Sequence, residues 1–248
     1  MRARPGDQAV LLSAVLSRVR GTPGAVVVFD LDSTLLDNRP RQARIVRDYA
    51  SLAGVPALLD ARPEHWQGWD LAVALSNAGL GPAGLEAHLG PARAFWRERF
   101  FTSAYCRLDA PIPGAPAFVA ALARARAHVA YVTGRHRGMR EGTVDCLARH
   151  GFPLPGDRVE LLMKPDPELG DDAWKDAACA EVERLGEVVA AFDNEPAHVN
   201  LYARAFPDAL AIHLDTDHSG RPVKVLASVP SIRDFTLAEG APLELAAP

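Results

Sequence analysis

Two aspartates one residue apart, Asp30 and Asp32, stand directly after a β-branched run, Val26-Val27-Val28, that ends in Phe29. Carboxylates this close repel each other, and a bound cation is the usual reason for holding them together. The run is bounded by Gly24 in front and by polar Ser33 and Thr34 behind, so it predicts a buried parallel strand. Carboxylates where such a strand stops lie at the carboxyl edge of a sheet, where open α/β folds bind their ligands. The blander reading is a strand ending in a solvated acidic turn. The partners supplied further along the chain weigh against it.

HVAYVTGR, residues 128–135, repeats the pattern of an apolar strand, here ending in Thr133-Gly134-Arg135. A hydroxyl and backbone N–H groups at a strand end can bind phosphate oxygens. DRVELLMKP, residues 157–165, is a third strand with Lys164 at its end. DDAWKDAACAEVERL reads as a helix capped by Asp171 or Asp172, with Lys175 near its start. Lys164, Lys175 and Lys224 are the only lysines, so a lysine near a site draws attention. VVAAF is a further buried strand, with Asp193 at its end and Asn194 and Glu195 behind. Pro196 then suits the first turn of a helix. ALAIHLDTD, residues 209–217, gives a fifth strand.

Phe29-Asp30-Leu31-Asp32-Ser33-Thr34 resembles the first motif of the haloacid dehalogenase superfamily, hydrophobic-Asp-x-Asp-x-Thr. The resemblance implies Asp30 as a nucleophile that takes a phosphoryl group, Asp32 as general acid then base, and Mg²⁺ beside them. The chemistry is sound: a carboxylate attacks phosphorus if a cation neutralises the phosphate, and a second carboxyl can protonate the leaving oxygen. Asp32 argues against dehalogenation, whose branch lacks an Asp there because no alkoxide leaves. The second motif matches at Thr133, implying Thr133, Gly134 and Arg135 on the phosphate. The third is a Lys or Arg at a helix start; Lys175 fits on helix position, with Lys164 as rival. The fourth matches at Asp193, implying Asp30, Asp32 (through its backbone carbonyl) and Asp193 around the metal. Asn194 or Glu195 remains open as a further ligand, directly or through water.

The positioning elements alternate strand and helix, which predicts an α/β fold: a doubly wound parallel sheet with helices on both faces. Bringing the four motifs to one edge requires the Asp30 strand in the centre, between the Thr133 and Asp193 strands. Residues 39–107 carry no strand-like run, only helical spacings broken at Gly54, Pro56, Pro63, Gly79 to Pro82 and Gly90-Pro91. This predicts an all-helical insert, the cap of the resembled superfamily, on a core of residues 1–38 and 108–248. It holds nine arginines against six acidic residues, which suits an anionic substrate although most should lie on solvated faces. Trp66 and Trp69, with His65, read as core, with substrate stacking as the alternative. The tail from 219 shows no chemistry, and SIRDFTL reads as a final helix or edge piece.

The formal net charge of −4 gives no general affinity for nucleic acid or acidic membrane. Three widely spaced cysteines argue for a reducing, cytoplasmic setting rather than a disulfide framework or zinc site. AVLLSAVLS, residues 9–17, is followed by Arg18 and Arg20 and reads as an amphipathic helix, not a signal peptide. The expectation is a Mg²⁺-dependent phosphomonoester hydrolase for a small phosphorylated metabolite. A phosphotransferase or mutase, or a binding protein with a degenerate site, are the alternatives.

Overall fold

Helix α1 (Pro5–Gly21) leads into strand β1 (Ala25–Phe29), every residue of which is buried. The computed structural model describes residues 5–237; the end of the tail, 238–248, lies outside them. Leu12, Val15, Leu16 and Val19 of α1 pack into the main core, so the apolar N-terminal run is a structural helix of the domain.

After β1 the chain makes a tight turn in which the N–H groups of Thr34, Leu35 and Leu36 all donate to the Leu31 carbonyl. Ser33 takes φ 60° to allow it. A short strand, β2 (Leu36–Asp37), then pairs antiparallel with β3 (Ala110–Pro111) at the root of the inserted segment. Between them lie α2 (Arg39–Ala53), α3 (Leu71–Asn77), α4 (Pro82–Phe100) and α5 (Ser103–Cys106). The first three, with the loops between them, share an apolar cluster that includes Val46, Tyr49, Leu58, Trp66, Leu75 and Ala92, while Cys106 of α5 joins the main core. Gly90-Pro91, expected to break a helix, runs inside α4. Pro91 forfeits one backbone bond and clashes with the preceding turn. Packing of α4 against Tyr49 of α2, through His88 (2.9 Å) and Phe95 (5.7 Å between rings), holds the helix across it.

The chain returns through α6 (Ala115–Arg124), β4 (His128–His136), α7 (Arg140–Arg149), β5 (Val159–Lys164), α8 (Asp171–Glu183), β6 (Glu187–Asp193), α9 (Pro196–Ala205), β7 (Leu210–Leu214) and edge strand β8 (Ser231–Ile232). The six main strands run parallel in the order β5-β4-β1-β6-β7-β8. Alternate β1 side chains face opposite layers, as the two-residue period of a strand requires. Val27 and Phe29 meet α1 and α6, while Val26 and Val28 meet Trp174 and Val182 of α8 and Tyr202 of α9. Gly186 sits where β6 begins beside β1; with φ 148° and Gly24 O where a Cβ would stand, only glycine fits. Among the described residues no helix is long and apolar enough to cross a membrane. Cys106, Cys146 and Cys179 are free and buried.

Candidate active site

β1 is where the strand order reverses, since the chain leaves it toward β4 and later crosses to β6. Such a switch point opens a crevice at the carboxyl ends of the strands. Phe29 and Phe192 pair across β1 and β6, so the next residues, Asp30 and Asp193, stand side by side. The Asp30 N–H donates to Phe192 O at 3.0 Å and fixes that register.

Lys175 comes from α8 and places its Nζ 2.6 Å from both Asp30 Oδ1 and Asp193 Oδ2. Its neighbour Trp174 anchors the helix start, donating its indole N–H to Thr133 O at 2.8 Å. Lys164 instead pairs with Asp171 at 2.8 Å, so Lys175 and not its rival meets Asp30. The cap of α8 is Gly170, with Asp171 and Asp172 in the first turn, where negative charge suits the helix dipole.

One ammonium serves two buried carboxylates, which leaves a negative charge uncompensated. Burial, with Asp193 adding to it, pushes Asp30 up to about 7 against the pull of Lys175. Asp193 goes the other way, to about 2: burial opposes this, but Lys175 and His198 prevail. This donor set fits Mg²⁺. Among the described residues no three His, Cys, Asp or Glu side chains group to hold a metal, so two hard carboxylates are the side-chain ligands on offer. Mg²⁺ keeps several waters and accepts so small a set, whereas Ca²⁺ asks for more oxygens.

Asp32 is held apart from the other two carboxylates. Its side chain turns from Asp193 and accepts from Arg135 Nε at 2.6 Å, Arg135 Nη2 at 3.0 Å and Arg41 Nη2. Both guanidiniums then share buried Asp109: Arg135 Nη2 at 2.5 Å and Arg41 Nε at 3.0 Å. Arg41 Nη1 completes the set on Phe100 O at 2.9 Å. Two positive and two negative groups thus form one closed cluster. Burial works to raise Asp32, but Arg135 and then Arg41 hold it well below the usual carboxylate range. The Asp32 side chain is therefore not a metal ligand here, leaving only its backbone carbonyl for that role. Arg135, expected on the phosphate, has its guanidinium fully engaged with Asp32, Asp109 and Thr143. Thr133 is fully buried and does not reach the cavity wall; its hydroxyl accepts the Arg135 N–H at 3.2 Å. Gly134 does line the wall.

These groups surround a cavity of about 530 Å³. Asp30, Asp193 and Lys175 form its floor; Arg41, Trp69, Phe100 and Phe101 of the inserted segment form one wall. Asp172, His198 and Arg221 lie on another. There Asp172 receives Arg221 Nη1 at 2.7 Å and meets His198 Nε2 at 2.8 Å. His198 is raised above its ordinary value: burial opposes this, but bonds to Asp193 and Asp172 win. Asn194 spends its amide on Thr34 and the Asp217 carbonyl, and Glu195 spends its carboxylate on Ser219 and Arg221.

The family model for haloacid dehalogenase-like hydrolases matches residues 25–196, from the start of β1 to the start of α9. The chain belongs to that family. As a haloacid dehalogenase-like hydrolase it keeps the fold at low identity. A putative phosphatase from Clostridium difficile superposes with a TM-score of 0.51 at 10% identity, over 84% of this chain and 94% of that one. A dehalogenase with an intermediate complex gives 0.50 at 14%, over 85% and 93%. A class C acid phosphatase from Bacillus anthracis gives 0.46 at 19%; the alignment covers 77% of this chain and 60% of that one. The likeness is of fold alone, and a phosphatase and a dehalogenase share it, so the reaction must be argued from the residues. No curated protein sequence matches the chain significantly.

Several site residues of this hydrolase were not singled out in the sequence. Arg41 and Asp109 lie in or beside the insert, where charge suggested solvent. His198 follows Asp193 by five positions, and its place in the first turn of α9 was the available signal. Ser219 and Arg221 fall in the tail that showed no chemistry. Trp69, read as core, lines the cavity, while Trp66 is buried in the apolar cluster.

Proposed function

We propose that this hydrolase cleaves phosphomonoesters through a covalent phosphoryl-enzyme on Asp30. The observation that carries the reading is the Lys175 ammonium held 2.6 Å from Asp30 and Asp193 at the ends of adjacent strands. A carboxylate with a fixed cation beside it, on the floor of a cavity, is built to approach an anionic electrophile. Asp30 Oδ forms a bond to phosphorus as the ester P–O bond breaks, and the leaving oxygen takes a proton from Asp32, which must first be protonated from solvent. Water then attacks the same phosphorus, the Asp30 O–P bond breaks and phosphate departs. Asp30 and Asp193 would hold Mg²⁺, which supplies positive charge against the phosphoryl oxygens. Lys175 balances Asp30 and its substrate throughout. Asp32, held ionised by Arg135 and Arg41, is a weak base as it stands and carries no proton; for it to give one to the leaving oxygen, or to take one from the attacking water, Arg41 or Arg135 must let go. The inserted helices would act as the cap that selects a small anionic phosphorylated substrate, with no nucleic acid or membrane partner. The free thiols suit a cytoplasmic setting.

The test is release of phosphate from a panel of monophosphates, with Mg²⁺ or chelator, for wild type and Asp30→Asn. Metal-dependent release that vanishes in the variant supports the reading; release by clean Asp30→Asn protein overturns the covalent step. Heavy-oxygen water separates hydrolysis from transfer to an alcohol. Absence of any turnover would return the chain to the binding-protein alternative.

A further inference from the structure

The inserted segment gives the cavity an aromatic wall. Phe100 stacks on Trp96 with ring centroids 4.4 Å apart, and Trp69 meets Phe100 edge-on at 5.6 Å. Phe101 stands against Phe100 at 5.0 Å and 80°. Phe100 is buried, but Phe101 is 45% exposed although it lines a cavity beside buried charges. A ring fixed by aromatic neighbours and open to the cavity offers a flat apolar face to a ligand there.

The same wall offers few groups for hydroxyls. Apart from the Trp69 indole N–H, its polar side chain is Arg41. That guanidinium is taken up by Asp32, Asp109 and the Phe100 carbonyl, and its Cζ lies over the Phe100 ring, 3.9 Å from the centroid. The opposite wall is polar but self-paired, Asp172 with Arg221 and His198, and Glu195 with Ser219. A sugar needs several unspent donors and acceptors at fixed positions; a flat ring needs another ring. One guanidinium separates Phe100 from Asp32, so the aromatic wall starts one side-chain layer from the reacting end. We infer that the substrate is a monophosphate whose leaving alcohol carries an aromatic ring, seated against Trp69 and Phe101, which Phe100 backs. This deepens the phosphomonoesterase reading and rests on it.

The experiment compares benzyl, cyclohexylmethyl and glycerol phosphates, which all release an alcohol and so pose similar chemistry. Wild type should favour benzyl phosphate over glycerol phosphate by about tenfold in kcat/KM, and over cyclohexylmethyl phosphate by about threefold. Phe101→Ala should collapse both ratios toward one, and Phe101→Tyr should restore them. Ratios near one in wild type, or unchanged ratios in Phe101→Ala, overturn the ring seat while leaving the phosphatase reading intact. Calorimetry with Mg²⁺ and either benzylphosphonate or propylphosphonate reads the seat without turnover. Tighter binding of the benzyl compound, lost in Phe101→Ala, supports the ring seat even if no ester is cleaved, in which case it is the phosphatase reading that fails. Equal affinity overturns the inference.

Discussion

Asp30→Asn should abolish turnover and at the same time stabilise the metal-free fold at neutral pH. In the fold Asp30 is pushed from 3.8 to about 7. That is roughly three pKa units at about 1.4 kcal/mol each, so ionising this carboxyl costs the fold about 4 kcal/mol relative to the unfolded chain. Asparagine keeps an acceptor for Lys175 but loses its charge, an offset of about 1–2 kcal/mol, so a net gain of about 2–3 kcal/mol should remain. The sign follows from proton counting. Between pH 3.8 and about 7 the folded state keeps a proton that the unfolded state has lost, so wild-type stability falls as pH rises through that window and levels off above it. His198, also raised, adds a fall as pH rises through its folded value, but in both proteins alike. Asp193, lowered to about 2, acts only in acid. Urea unfolding in chelator at pH 5 and pH 8 measures this: wild type should lose about 2–3 kcal/mol more than the variant between the two. Mg²⁺ at pH 8 should then restore wild type and do far less for Asp30→Asn. A variant no more stable than wild type at pH 8, with the same pH slope, would show that Asp30 is not held against its charge.

Asp32→Ala leaves two buried guanidiniums with Asp109 alone. It should cost about 3 kcal/mol in urea unfolding and slow alkyl phosphates by ~10²–10⁴-fold, more than an activated aryl phosphate in single-turnover assays. Activity should return to chelated enzyme with Mg²⁺ and poorly with Ca²⁺ in a metal titration, because two carboxylates are too few for the larger ion. Gly142→Ala sets a Cβ onto the Ser103 carbonyl where α7 meets α5. Overpacking of about 2 kcal/mol should lower Tm by about 4–8 °C in calorimetry.

The strand-borne part of the site was legible because its signal is local. A buried run followed at once by a carboxylate marks a sheet edge, and it did so for Asp30 and Asp193. The order of strands followed from the need to gather those edges. Arg41 shows the limit: it lies on the buried face of α2 beside Gln42, so polarity hid its burial. Its partners, Asp32 and Asp109, are brought to it only by the tertiary fold. The same distance hid the engagement of Arg135, whose sequence neighbours suggested a phosphate ligand. Pro91 misled because a local breaker was outweighed by packing against α2. Arg221 sits in a stretch without regular structure, and only the return of the chain past the strand ends brings it to the cavity.

The central strand also has a consequence for how the chain assembles. β1 is the first strand made, yet its neighbours come late: Val26 lies beside His128 and Val188, about 100 and 160 residues onward. Closing loops of that length must precede any reward from the sheet, so parallel pairing here is slow. The apolar cluster of the inserted helices draws on residues between 43 and 96 and can form while β1 is still waiting. A nascent chain stopped before residue 128 would therefore carry an ordered insert on an unpaired hydrophobic strand. That is the species in which aggregation competes with folding.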